Sequence, residues 1–530
     1  MLRLLLLLLV LCYGVLGRIR YFHWCIHDDA YISFRYARNV VRGAGLVMNP
    51  GERVEGITNF LWTLLAAPVI ALGGDPAAFA QLVGAVLSVG LMLAAYLFTA
   101  RRLGGSWYAL FTPAILAFNL AYVMESLSGL ETLAFTGLVF ATWVAYLEER
   151  RDGTRRTGLW AVLAGVATLV RPEGGLVFAV LLGWSGLGVA RGEPWSRLRA
   201  AGLLYAALVV PLVVFRLAYY ESLLPNTYYA KVGSTLDQVA RGWRYARVSF
   251  LHSLGLPLVA VAALGAALAL VRARPAPGAP APRAPWTRLF AGRPRDEALG
   301  TALVLVVAYA LYIVVVGGDY EPTARFFMPV LPLVYLLFQE ALRTVVLQAG
   351  SGGRRRAAGF AALALAAFCF AQSEQRFLRV LEARGWPHTR REQHEQNRII
   401  GDWLRANTPP GTLVALSSIG ATPYFADRPI LDMMGLTDRH IGRRHIADMG
   451  RGAAGHEKGD GAYVLERRPD IVLIDKGTLL PRASSREEVL ALARGRSELE
   501  IAAAPEFAPG WELRRAPTPA GVLHYFVRVR

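Results

Sequence analysis

The sequence is short of charge and of cysteine. Asp, Glu, Lys and Arg make up 18% of its 530 residues, against 54% hydrophobic residues. A water-soluble chain carries about a quarter charged residues, so an ordinary soluble enzyme and a disordered chain are both disfavoured. The mean hydropathy of +0.36 points the same way. Three cysteines, Cys12, Cys25 and Cys369, are too few and too scattered for a disulfide framework or a zinc site. Acidic residues are scarcer than basic ones, 39 against 57, which leaves a net charge of +18. In a soluble protein that excess would suggest nucleic acid, but no recognition motif accompanies it, and no nucleic-acid partner is expected. The sequence has no P-loop, no Rossmann glycine pattern and no ordered Ser, His and Asp set. ATPase, dehydrogenase and hydrolase readings therefore have no support.

Long apolar runs are what the chain has in abundance. They cover 2–18, 78–100, 106–122, 131–147, 157–170, 174–190, 200–217, 251–271, 299–316, 326–346 and 357–371, each near the length a bilayer span requires. The chain reads as a polytopic α-helical membrane protein, with the lipid bilayer as its first partner. Arg3 and the leucines after it resemble a signal peptide, but no small-x-small site follows Gly17, so the run is expected to remain as the first span. Basic clusters at Arg101 and Arg102, 150–156, 191–199, 272–295 and 354–356 belong inside by the positive-inside rule. They agree with one another only if a further apolar run, 57–73, does not cross. That run is expected to be interfacial or re-entrant, which gives about eleven spans and an outside C-terminus. The 19–77 loop carries Arg20, Arg35, Arg38, Arg42 and Arg53 on the outside, a departure that long loops are allowed.

Residues 272–298, rich in Pro, Ala and Arg, read as a flexible inner linker. From about 372 the character changes. A helix is expected over 393–407, ended by Pro409, Pro410 and Gly411; strands are expected over 412–417, 471–475 and 524–529, and another helix over 486–494. The chain thus divides into a membrane domain, 1–371, and an extracytoplasmic soluble α/β domain, 372–530.

The first outer loop holds the most informative string, His27-Asp28-Asp29-Ala30-Tyr31-Ile32-Ser33-Phe34-Arg35. Ala30, Phe34, Ala37 and Val41 recur at helical spacing, which predicts an amphipathic helix along the membrane surface. Its two leading aspartates suit a cap and a dipole partner. A carboxylate at the mouth of a membrane cavity also suits a general base. His23 and His27 beside Asp28 are candidate ligands for a divalent cation; no other cofactor is implied.

An acid pair that opens a juxtamembrane helix after the first span resembles the GT-C glycosyltransferases, polytopic enzymes that use polyprenyl-phosphate sugars. The longer string, Asp28 to Arg35 with Gly45-Leu46-Val47-Met48-Asn49-Pro50-Gly51-Glu52-Arg53-Val54 and Thr58-Asn59-Phe60-Leu61-Trp62, resembles the branch of terminal arabinofuranosyltransferases of mycobacterial cell-wall arabinan. The likeness covers most of the membrane part, and the C-terminal domain is similar in type. It implies transfer of a glycosyl residue, arabinofuranosyl first, from a polyprenyl-phosphate donor to a cell-envelope glycan on the outer face of the cytoplasmic membrane. Asp28, matching the first acid of the pair, is the expected base, with Asp29 as its catalytic neighbour.

Compartment supports the same donor independently. Nucleotide sugars are cytosolic, so an outward-facing transferase needs a sugar already carried across on a lipid. Such a phosphate needs cations at the interface. Asn226, Tyr228 and Lys231 in one outer loop and Arg325 in another are the expected phosphate-binding residues. Lys231 and Arg325 would otherwise serve as snorkelling anchors. Glu131, Arg171, Glu173, Asp319 and His27 are expected to line the cavity, because ionisable groups at membrane depth are functional candidates. The loops 431–438 and 455–458 suit either acceptor contact or plain turns. The rival readings are a lipid-linked glycan transporter or flippase and a ligase drawing on a polyprenyl diphosphate. Ionisable clusters gathered on one face favour the transferase.

Overall fold

The computed structural model describes residues 2–18, 26–102, 107–152, 158–189, 194–250, 294–321, 323–348, 352–383, 385 and 388–529. Among the described residues, four helices are long and apolar enough to cross a membrane: Pro76–Arg102, Trp195–Tyr220, Glu297–Val316 and Arg325–Thr344. The first shows how the sequence sets its limits. Pro76 occupies the opening position, where a missing N–H costs nothing, and the Asp75 carboxylate accepts the Ala77 N–H at 2.9 Å. Arg101 and Arg102 close it, at the end where cations favour the helix dipole.

Among the described residues, one further pair of helices is long and apolar enough to cross only when taken together, as a broken span or a re-entrant loop. Tyr108–Phe118 and Leu120–Ser126 meet at a bend of 66°. Asn119 makes the break, because its side chain accepts the Tyr122 N–H at 2.7 Å and so caps the second piece. The expected runs 2–18, 157–170 and 174–190 appear as shorter apolar helices. All but the first residue of run 131–147 lies in Thr132–Asp152, and run 357–371 lies within Gly352–Ala383. The expected span 251–271 and most of the linker 272–298 lie outside the described residues. The doubtful segment 57–73 holds a helix of 12 residues, Phe60–Ala71, with Pro68 inside it. At 1.5 Å per residue it reaches about 18 Å, well short of a hydrocarbon core of about 30 Å.

Residues 414–528 build a six-stranded sheet, with strands β1 (Val414–Leu416), β2 (Ile430–Asp432), β3 (Ile471–Val472), β4 (Leu479–Leu480), β5 (Trp511–Thr518) and β6 (Gly521–Arg528). The order is β2-β1-β3-β6-β4, with β5 also on β6. β1 runs parallel to both β2 and β3, while β6 is antiparallel to β3, β4 and β5. Helix His388–Asn407 leads into the sheet.

The sheet shares a core with the first loop. Ile32, Tyr36, Met48 and Ile57 pack in one hydrophobic cluster with Leu404, Val414, Leu416 and Ile430. The helix expected on the membrane surface, Asp28–Val41, is consequently enclosed on both faces, with Ala30, Tyr31, Ile32, Ser33, Phe34, Arg35, Tyr36, Ala37 and Asn39 all buried. Its apolar side, Ala30 and Phe34, meets Trp62, Ala66 and Ala80. Its basic side grips the C-terminal segment. Arg35 donates to the carbonyls of Met48, Pro423 and Arg428 at 2.9, 2.6 and 2.6 Å, and Arg38 and Arg42 pair with Asp427 at 3.1 and 2.7 Å. Three of the loop arginines that break the topological charge rule, Arg35, Arg38 and Arg42, therefore have protein partners, while Arg20 lies outside the described residues.

Candidate functional site

Three chain segments converge where helix Asp28–Val41 begins. His27 caps it: the ring Nδ1 accepts the Asp29 N–H at 3.1 Å, while the His27 N–H reaches the Ser128 carbonyl at 2.8 Å. The expected cap, Asp28, stands instead in the first turn with Asp29, where both carboxylates suit the helix dipole.

The two aspartates then diverge. Asp28 turns to the C-terminal segment. Its Oδ1 accepts from Ala421 N and Asn397 Nδ2, both at 2.9 Å, and its Oδ2 from Gly420 N at 3.1 Å. Gly420 must be glycine, because a Cβ there would lie 2.2 Å from the Asp28 carbonyl oxygen and Oδ2. Burial pushes the Asp28 carboxyl up, against the hydrogen bonds from Ala421 and Asn397.

Asp29 faces a cavity of about 220 Å³ that is also lined by Glu131, Arg171, Glu173, Tyr228, Lys231, Asp319 and Arg325. Arg325 Nη1 stands 3.6 Å from Asp29 Oδ2. Burial opposes the Asp29 charge, but His27, Arg325 and Lys231 outweigh it and hold the carboxyl down at about 2.

The cations are held differently from one another. Arg171 is spoken for, since it bridges Glu131 at 3.3 Å and Glu173 at 2.9 Å. Arg325 is clamped by Asp319, through Nη2 to Oδ1 at 3.0 Å and through Nε to Oδ2. Lys231 lines the cavity at the end of the short helix Asn226–Lys231 and makes no hydrogen bond or ion pair among the described residues. Burial lowers its ammonium, with Asp29 opposing. It is the cation best placed to take an anion from outside the chain.

Two residues expected at the site do other work. Asn226 is not in the cavity wall; its Nδ2 donates to the carbonyls of Gly435 and Asp438 at 2.9 Å and pins the 435–438 loop. His27 lies behind Asp29, 3.6 Å from its Oδ2, with Nε2 3.2 Å from Glu321 Oε1. Both His27 ring nitrogens thus face protein groups, which does not fit the expected cation ligand, and His23 lies outside the described residues. Among the described residues, no group of three or more His, Cys, Asp or Glu could hold a metal ion.

Neutral polar groups escaped the sequence reading. Asn59 donates to Glu131 at 2.7 Å and accepts from Ser33 and Thr63 at 3.0 Å each, so it fixes one wall of the cavity. Its only signal was its place in the Thr58-Asn59-Phe60 string. Glu321, the partner of His27, lay unnoticed within the stretch from Gly317 to Arg325.

A family described as a domain of unknown function (DUF8728) matches residues 385–525. The chain is 31% identical over 315 residues to a terminal β-(1→2)-arabinofuranosyltransferase of Mycobacterium tuberculosis, covering 56% of this chain and 49% of that protein. It is 27% identical over 343 residues to the terminal β-(1→2)-arabinofuranosyltransferase of Corynebacterium glutamicum, covering 58% and 47%. The chain thus spans about half the length of the curated relatives it matches. The crystal structure of ArnT from Cupriavidus metallidurans bound to undecaprenyl phosphate superposes with a TM-score of 0.53 at 14% identity, covering 99% of this chain and 97% of that one. The chain has the ArnT fold, and with its several apolar helices it is a multi-pass membrane protein.

Proposed function

We propose that the protein is a glycosyltransferase that moves a sugar, arabinofuranose first, from a polyprenyl phosphate to a cell-envelope glycan on the outer face of the cytoplasmic membrane. One observation carries the reading: a single cavity holds an ionised carboxylate, Asp29, with Lys231 and Arg325 beside it. An acceptor hydroxyl gives its proton to Asp29, and its oxygen attacks the anomeric carbon. The bond from that carbon to the phosphate oxygen breaks, and the polyprenyl phosphate departs with the electron pair. Lys231 and Arg325 neutralise the charge that develops on it, as preorganised cations do in other transfers. The phosphate also screens these cations from Asp29, which makes the carboxylate a better base once the donor is bound.

A cavity of about 1260 Å³, lined by Leu61, Val83, Leu87, Leu138 and Val166 and by Arg101, Arg102, Glu148, Glu149 and Arg151, offers an apolar wall and room for a prenyl chain. The sequence likeness to arabinofuranosyltransferases and the fold shared with a protein that binds undecaprenyl phosphate both favour this donor class. Asp28 serves in this scheme as a positioning residue that fastens the base-bearing helix to the C-terminal segment. The test is to incubate purified protein with a panel of polyprenyl-phosphate sugars and envelope-glycan acceptors and to score products by mass. Movement of lipid-linked sugar across vesicles with no new glycosidic bond would establish the transporter instead.

A further inference from the structure

We propose that Arg241 and Glu457 form a buried strut that holds Lys231 and Arg325 at the spacing that receives the donor phosphate. Both act as positioning residues, since neither lines the cavity. The strut deepens the transferase reading and rests on it.

Like charges that face one cavity repel each other, so the spacing of Lys231 and Arg325 has to be imposed by the structure around them. Helix Leu236–Ser249 imposes it. Arg241 on that helix donates from Nε to the Gly317 carbonyl at 3.0 Å and from Nη1 to the Gly452 carbonyl at 3.1 Å. The same Nη1 meets Glu457 Oε2 at 2.5 Å. Glu457 completes the tie, because its Oε1 accepts the Gly450 and Gly452 N–H groups at 2.7 and 2.9 Å. One guanidinium thus joins the turn that leads to Arg325 to the loop that abuts Lys231, and both members of the pair are buried.

Each side of the strut reaches its cation through few atoms. On the lysine side, Ala454 lines the cavity and Gly455 lies against the Lys231 stem, where a Cβ would stand 3.2 Å from Lys231 Cε and 3.3 Å from its Cγ. Lys458 donates to the Tyr229 carbonyl at 2.9 Å and steadies the short helix that ends in Lys231. On the arginine side, Gly318 packs so closely on Tyr245 that a Cβ would lie 2.5 Å from the Tyr245 Cβ, and the Tyr245 hydroxyl accepts the Phe326 N–H at 3.3 Å. Arg325 is therefore anchored to helix Leu236–Ser249 both before and after its own position. A ring contact closes the circuit. His456 meets Tyr320 edge-on with centroids 4.6 Å apart, and the Arg325 guanidinium lies 5.6 Å from the Tyr320 ring.

Two variants leave the cavity wall intact and test the strut. Arg241→Met with Glu457→Gln removes both charges together, so neither is stranded, and the amide oxygen still takes the two glycine N–H groups. Gly455→Ala keeps the pair and sets a methyl group against the Lys231 stem. The readout is equilibrium binding of undecaprenyl phosphate, and of uncharged undecaprenol, to the detergent-solubilised full chain. Wild type should hold the phosphate more tightly, because the alcohol offers the two cations no charge. Each variant should raise the Kd for undecaprenyl phosphate roughly tenfold and leave that for undecaprenol within about twofold. In a Lys231→Met background Gly455→Ala should cost no further affinity, since it acts through the lysine. A phosphate preference kept in full by both variants would overturn the strut. An equal loss of both lipids would overturn it too, because general damage to the fold does not distinguish a phosphate from an alcohol. A wild type indifferent to the phosphate would sink the donor reading and the strut with it, whereas a wild type and variants that all prefer the phosphate alike would sink the strut alone.

Discussion

An asparagine at position 29 would keep the volume of the aspartate and its place in the first turn, and would lose only the basic oxygen. Turnover of Asp29→Asn should fall by roughly 10²–10⁴-fold with melting temperature nearly unchanged. Asp28→Asn should do the opposite. An amide can satisfy Ala421 and Asn397 but must turn its NH₂ toward the Gly420 N–H, a buried mismatch of about 1–3 kcal/mol. Thermal unfolding and turnover measured on the same preparations separate the two. Asp432 gives a third test at this scale. Buried at the end of β2, it accepts from Met434, Gly435 and Thr437, and burial pushes its carboxyl up to about 6 despite those bonds. A carboxyl raised above its unfolded value of 3.8 favours the folded state below that value, and the benefit is lost as pH rises through the folded one. Relative to Asp432→Asn, the wild type should lose on the order of 3 kcal/mol of stability between about pH 4 and pH 6, read from denaturant midpoints. The residues legible from the sequence were those whose charge stood beside an apolar run, such as Glu131, Arg171, Lys231 and Arg325. Asn59 and Ser33 carry no charge to betray them, and which of two adjacent aspartates meets the cavity depends on packing 392 residues away in sequence.

The Pro76–Arg102 helix offers a matched pair of glycines at the scale of the element. Alanine is favoured over glycine in a helix by about 1 kcal/mol, so open space decides the outcome. At Gly90 a Cβ meets nothing within 4 Å, while at Gly84 it would lie 2.1 Å from the Ser126 carbonyl oxygen. Gly90→Ala should therefore leave the melting temperature unchanged or raise it, and Gly84→Ala should lower it and loosen the broken span whose end carries Glu125. Differential scanning in one detergent compares them. The same scale shows what patterning reveals. Helix Asp28–Val41 and strands β1, β3 and β6 fall where alternation or helical spacing predicted, because their burial is one-sided or continuous over several residues. β2 and β4 are three and two residues long, too short to carry a period. β5 reads as polar, with Arg514, Arg515 and Pro517 in it, and is a strand because β6 lies beside it. The enclosure of Asp28–Val41 was hidden for a related reason: its polar face looks solvated until the carbonyls that receive Arg35 are present.

For the whole molecule, topology is the open prediction. A reporter fused after residue 380 should sit on the outer side, and one placed within 275–290 on the cytoplasmic side; the two exchanged would require 57–73 to cross, and both on one side would require the number of spans between them to change. The apolar runs made the membrane class plain from composition alone, since few other solutions bury so much apolar surface. How the two ends of the chain meet was not legible, because no local pattern reports a contact across most of the sequence.

The Arg35 grip has a consequence for the making of the protein. Two of the carbonyls it holds belong to residues 388 and 393 positions further along the chain. At roughly 5–20 residues per second of synthesis, they arrive about 20–80 s after the arginine itself. Throughout that interval the helix that carries Asp29 lacks the C-terminal half of its enclosure. A chain truncated before residue 420 lacks both of those carbonyls, so the seat of Arg35 is completed only by a segment made hundreds of residues later.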